Sequence, residues 1–171
     1  MKKIVHSLTL IILLGCNPPT KEIVTNHAVD IQLIDQSVAD WDKAWETKDL
    51  SLAIKHYAEI TDWTNAFGDR AQSKKELEEL LGFIFGLDFV MAGENHYGEN
   101  EIVFISDSLA TVRTKNVRKN QEWPDGTKMA DRHVNHLRVY KNVSGEWLII
   151  NHMISQAWPK RQANDSLQAE E

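Results

Sequence analysis

"DRHVNHLRVY", residues 131–140, decides how the second half of this chain folds. On a helix, His133 and His136 would share one face and could grip a metal ion together. Apolar and polar residues alternate here, however, as they do in "EIVFI", "LATVRTKNVRK" and "EWLIINHMIS". The period is therefore two, and the segment reads as a strand. Val134, His136, Arg138 and Tyr140 then share one face, and His133, Asn135, Leu137 and Val139 the other. A two-histidine grip within this stretch is excluded. The runs are divided by "SDS", by "QEWPDGT" with its Pro-Asp-Gly turn, and by "NVSG".

Pairing of the last two strands follows from the loop between them. Read as a four-residue hairpin loop, "NVSG" sets Lys141 opposite Glu146, which places His136 opposite Asn151 and Asn135 opposite His152. His133 and His152 become diagonal neighbours on the second face. A zinc site there lacks a third ligand, so no metal is expected. The first face joins His136, Arg138 and Tyr140 to Trp147, Ile149, Asn151, Met153 and Ser155. Polar groups among apolar walls suit a ligand pocket. Trp63 and Asn65 alternate with Thr64 in the same manner and are expected to line the same cavity. For proton-transfer chemistry the candidate bases are His136 and Asp62, with Trp63, Asn65 and Ser155 as donors. Asp62 points away from Trp63 and Asn65 by this alternation, which favours His136.

Upstream the period is helical. Ile31, Ile34, Val38, Trp41 and Trp45 recur every three or four residues behind Asp30, a capping residue. A break near Asp49 leads into "LSLAIKHYA", a short second helix with Leu50, Ile54 and Tyr57 inward. "ITDWTNAFG" is β-leaning. Ser73 and Glu76 then have capping-box spacing before Leu77, Leu80, Leu81, Ile84 and Phe85, and Gly86 ends this third helix. Helices followed by consecutive antiparallel strands make an α+β fold, with the helices gathered on one face of a curved sheet.

The chain has 171 residues, 42% hydrophobic and 26% charged, which suits one globular domain. A formal charge of −6 without a basic cluster argues against nucleic acid as a partner. Residues 1–15 read as a signal: Lys2 and Lys3, an apolar run from Ile4 to Leu14 too short to span a bilayer, then Gly15 before the sole cysteine. This resembles a bacterial lipoprotein signal, in which Cys16 is lipidated and becomes the N-terminus. Loss of Lys2 and Lys3 moves the formal charge from −6 to −8. Lipidation by more than one chain gives a stable membrane anchor. Asn17 does not resemble the aspartate that retains lipoproteins at the inner membrane, so the expected place is the periplasmic face of the outer membrane. Residues 16–29 form a tether, 30–156 the domain and 157–171 a polar tail.

"YAEITDWTNAFG", followed by a helix and ending in "GEWLIINHMIS", resembles the SnoaL-like branch of the nuclear transport factor 2-like superfamily, nearest the SgcJ/EcaC group. Asp62, Trp63, Thr64, Asn65 and Gly68 match its first strand; Gly145, Trp147, Ile149 and Ser155 match its last. The resemblance covers about residues 30–156. It implies a cone of bent antiparallel sheet around three helices, enclosing a cavity and dimerised through the sheet's outer side. Such relatives are cyclases, isomerases, dehydratases or pure binders. Two departures stand out: Ser73 occupies a glycine position, and Met153 stands where relatives carry histidine, with His152 one place earlier. No Gly-rich dinucleotide loop is present, so no cofactor is expected. The reading that results is a lipid-anchored homodimer binding a small, apolar or mixed-polarity molecule in the cone. The alternative is a cofactor-independent isomerase, cyclase or dehydratase.

Overall fold

The computed structural model describes residues 27–157. The signal, Cys16, most of the tether and residues 158–171 of the tail lie outside them. In chain order the elements are helices α1 (Ala28–Thr47) and α2 (Leu50–Ile54), strands β1 (Tyr57–Thr64) and β2 (Arg70–Ser73), helices α3 (Lys74–Phe85) and α4 (Asp88–Met91), then strands β3 (Glu94–Tyr97), β4 (Glu101–Ser106), β5 (Leu109–Lys119), β6 (Arg132–Val143) and β7 (Glu146–Gln156). The fold is α+β, with the helices against one face of a curved, unclosed sheet.

Helix α1 buries Ile34, Ser37, Val38, Trp41 and Ala44. Asp30 lies in its first turn rather than at its cap, and accepts a hydrogen bond from Trp147 Nε1 at 2.8 Å. Ser73 caps α3: its Oγ accepts from Glu76 N at 3.2 Å, while Glu76 Oε2 reaches back one residue past the cap to accept from Gln72 N. Tyr57, expected on the second helix, opens β1 instead. The short β2, α4 and β3 carry too few residues for either period to register.

Strand order is β2-β1-β7-β6-β5-β3, with β4 also on β5. All pairings are antiparallel except β1–β7, which is parallel, so the sheet is mixed rather than uniformly antiparallel. Gly93 is fixed by close approach: at φ +84° its missing side chain leaves room for Lys119 O, which a Cβ would meet at 2.4 Å.

The β6–β7 hairpin corrects the expected register. Val143 pairs with Glu146, so the loop is two residues, Ser144 and Gly145, at φ 56° and 93°. Consecutive positive φ values match the twist of a tight hairpin. Further along, Val139 pairs with Asn151 but Tyr140 with Ile149, leaving Ile150 as a bulge. An extra residue reverses the alternation beyond it. Ile149 and His152 both point inward, whereas Asn151, Met153 and Ser155 turn outward. His136 therefore lies opposite Ile154, and Arg138 opposite His152.

The core lies between α1, α3 and the concave face of the sheet. Trp41, Tyr57, Trp63, Leu77, Leu81, Tyr140, Trp147 and Ile149 form its main mass. Around it sit buried polar groups, among them Thr114, Asn116, Arg118, His136, Arg138 and His152, which set up the site below.

Candidate functional site

His136, Arg138 and Tyr140 share the concave face as expected, all buried, and His133 is exposed on the other side. The bulge adds His152, wholly buried, to that face. Tyr57 Oη lies 2.5 Å from His152 Nδ1, and His152 Nε2 lies 3.0 Å from His136 Nδ1. The two histidines that meet are thus His136 and His152, not His133 and His152. Burial, with Arg138 nearby, holds both imidazoles well below the usual histidine value, so they are neutral at pH 7. Each then carries one N–H and one lone pair, and the chain must run in one direction. Its far end, His136 Nε2, is buried without a partner.

Arg138, 1% exposed, donates through Nη1 to Thr114 Oγ1 at 3.3 Å. Thr114 donates to Asn100 Oδ1 at 2.6 Å, and Asn100 Nδ2 to Asp35 Oδ1 at 2.9 Å. The Arg138 guanidinium also stands 5.9 Å from the Trp41 ring, while its Nε has no partner. Tyr140 Oη is 3.1 Å from Ser37 Oγ.

Facing this strand from α1 is Asp42, whose buried Oδ1 makes no hydrogen bond. Burial pushes its carboxyl up to about 7; Arg138 opposes the shift and Glu46 adds to it. Tyr97, on β3, is raised by burial first and then by Asp42, with Arg118 and Arg138 opposing. Asp42, Tyr97, Arg118 and Arg138 are therefore electrostatic neighbours. Trp45 Nε1, Trp63 Nε1 and Arg118 Nε are also buried without partners. Buried polar groups left unpaired cost free energy, so a cluster of them marks a place built for something else to bind. A carboxyl titrating near neutrality, with a guanidinium alongside, can take a proton from a ligand and see the resulting anion stabilised.

Several expected residues are elsewhere. Asp62 is on the surface in a bidentate pair with Arg70 at 2.8 and 2.7 Å, which lowers its carboxyl. Asn65 leaves the strand to organise the turn: its Oδ1 accepts from Phe67 N and Asp69 N, and its Nδ2 donates to Asp69 Oδ2. Asn151 and Ser155 are on the outer face because of the bulge. Ser155 borders a groove of about 300 Å³ there, with Glu101, Arg113, Leu137 and Met153, and the groove's lining also includes Thr114 and His136. Trp147 points inward but reaches Asp30 and the Phe104 ring rather than the His136 cluster. Trp63, 1% exposed, and Arg138 and Tyr140 stand where they were expected. Among the described residues no group of three His, Cys, Asp or Glu side chains could hold a metal.

Asp42, Tyr97, Arg118 and His152 were not anticipated. For Asp42 the signal was available. It lies four residues after Val38 and three before Trp45, so it shares the apolar face of α1. For His152 no signal preceded knowledge of the bulge.

No protein-family model matches the sequence, and no curated protein matches it. Solved structures do match. A ketosteroid isomerase-like protein from Erwinia carotovora atroseptica aligns with a TM-score of 0.64 at 17% identity, over 77% of this chain and 99% of its own. A putative scytalone dehydratase from Novosphingobium aromaticivorans gives 0.58 at 13%, over 78% and 90%. An NTF-2-like protein of unknown function from Shewanella oneidensis gives 0.58 at 16%, over 74% and 98%. At these identities the likeness is one of fold, and this chain has the nuclear transport factor 2-like fold.

Proposed function

We propose that the concave side of the sheet binds a small molecule of mixed polarity, and that Asp42 exchanges a proton with it in an isomerase- or dehydratase-type reaction. The observation that carries this reading is the unpartnered Asp42 carboxyl, raised to about 7 beside Arg138. Isomerisation and dehydration both begin with loss of a proton from carbon, and the resulting anion needs a nearby cation. The isomerase-like and dehydratase-like neighbours agree with that class. Tyr97 and Arg138 are placed to stabilise the anion, and the His136–His152 pair to fix the face opposite. Binding without turnover is the second reading. Trp45 and Trp63, each with a free N–H on an apolar wall, support it. The test is α-proton exchange in deuterated buffer with a panel of cyclic β,γ-unsaturated ketones, followed by NMR. The wild-type chain should exchange at least one of them, with a rate inflecting near pH 7, and Asp42→Asn should not. Equal exchange by the variant would sink the assignment, and no exchange with the whole panel would favour binding alone.

Two further readings belong to this proposal. The pattern from Lys2 to Cys16 supports lipid anchoring, and Asn17 after it supports the periplasmic face of the outer membrane. The exposed Val103, Ile105 and Met153 on the sheet's outer face support homodimerisation there.

A further inference from the structure

Arg118 and Arg132 face each other directly across β5 and β6. Arg118 is 7% exposed. Its Nη2 donates to Val90 O at 2.7 Å and Ala92 O at 3.3 Å, and its Nε is unpartnered. Arg132 donates through Nε to Gln156 Oε1 at 3.0 Å and through Nη1 to Gln121 Oε1 at 3.4 Å. Every acceptor is neutral. Among the described residues neither guanidinium forms a salt bridge. Glu122 and Asp131, the nearest acids in sequence, are exposed and pair with neither.

Like charges directly opposite on a sheet repel, and a buried cation without a counter-ion is costly. Burial lowers both guanidiniums; for Arg118, held down to about 10, the neighbouring Arg132 adds to the effect. Arg138 has Asp42 to offset it, whereas this pair has no acidic side chain, only the Tyr97 hydroxyl opposing the shift of Arg118. In a chain with 25 acidic residues, the absence of one from this spot leaves a buried cation and a half-buried one to be matched from outside. The surroundings are aromatic: the Trp45 ring is 5.9 Å from Arg118, and the Phe67 ring 5.2 Å from Arg132.

We infer that Arg118 and Arg132 form a subsite for a carboxylate carried on an aromatic or other apolar body. The inference rests on the proposed ligand site and gives it a direction. The ligand's carboxylate sits between the two guanidiniums, its apolar body lies along Trp45, and its reactive end reaches Asp42. Tyr97 is an electrostatic neighbour of both Arg118 and Asp42, which ties the two ends together. Paired guanidiniums match a carboxylate's oxygens with charge-assisted hydrogen bonds, whereas a neutral amide cannot neutralise them.

The test is isothermal titration of the full chain at pH 7.5 with 2-naphthoate, 2-naphthamide and inorganic phosphate. Naphthoate should bind roughly 10- to 100-fold more tightly than the amide. In Arg132→Gln that preference should shrink to about 3-fold or less, with the amide's affinity unchanged. Arg113→Gln, on the outer face, should behave as wild type. Without ligand, Arg132→Gln should also melt higher than wild type, since it removes the repulsion. Equal binding of acid and amide would overturn the inference and leave the site intact. A naphthoate preference that survives Arg132→Gln would overturn it too, as would phosphate binding as tightly as naphthoate. If neither naphthalene compound binds, the inference fails together with the ligand site. If naphthoate is preferred but Asp42→Asn leaves proton exchange unchanged, only the assignment of Asp42 fails.

Discussion

Replacing Asp42 by Asn should stabilise the protein, and by an amount that grows with pH. The carboxyl is raised from 3.8 to about 7, with burial as the leading cause. The folded state therefore holds the proton more tightly than the unfolded state, and the ionised form is the destabilising one. The penalty is absent below the unfolded value of 3.8, grows as pH rises, and is complete above about 7. At 1.36 kcal/mol for each pKa unit, the full penalty is about 4 kcal/mol. Between pH 5 and pH 8 its increase is roughly 2–3 kcal/mol. Asparagine keeps the shape and the unpaired oxygen but cannot ionise. Urea denaturation of both proteins at the two pH values, followed by circular dichroism, gives the difference of differences. Other titrating groups, including His136 and His152, cancel in that comparison. The variant should gain roughly 2–3 kcal/mol on wild type between pH 5 and pH 8. A gain that does not change with pH would mean that Asp42 titrates normally and is no candidate base.

In the Asp42→Asn background the histidine pair should dominate the acid limb. Both imidazoles are held below 6.5, so the stability they confer is present above that value and is lost as pH falls through it; urea midpoints from pH 7.5 down to 5 measure the slope. Tyr57→Phe removes the hydroxyl beside His152 Nδ1 and should cost about 1–3 kcal/mol at pH 7.5 by the same assay, because a buried ring nitrogen loses its partner. Gly93→Ala must displace Lys119 O and adopt φ +84°, so it should lower the melting temperature by several degrees, roughly what a loss of 1–3 kcal/mol produces. Cys16→Ser should release the chain from the membrane pellet into the soluble fraction, as read by fractionation in a bacterial host.

What the sequence made legible was whatever depended on period. The two faces of β6, the α1 stripe from Ile34 to Trp45 and the Ser73 cap all rest on local spacing and appear in the structure, whereas Ile31, expected on that stripe, is exposed. What depended on counting residues between strands did not survive. The two-residue loop at Ser144–Gly145 and the bulge at Ile150 together shift β7 against β6. Through that shift Asn151 and Ser155 leave the concave face and His152 enters it. Trp63 and Arg138 are both buried, a placement on the inner face that required only the period and no register. Asp42 was missed for a different reason. A charged residue on a helix is ordinarily assigned to solvent, although its spacing from Val38 and Trp45 put it on the inner face. Arg118 could be recognised as buried only once β3 and α4 were known to cover it, and those elements are too short to show a period.

The most direct test of Asp42 as the acid–base group is its own titration. With ¹³C-labelled aspartate, assigned by its disappearance in Asp42→Asn, the carboxyl carbon can be followed by NMR from pH 3 to pH 9. An inflection near 7 is the predicted result. An inflection at the ordinary aspartate value would contradict it.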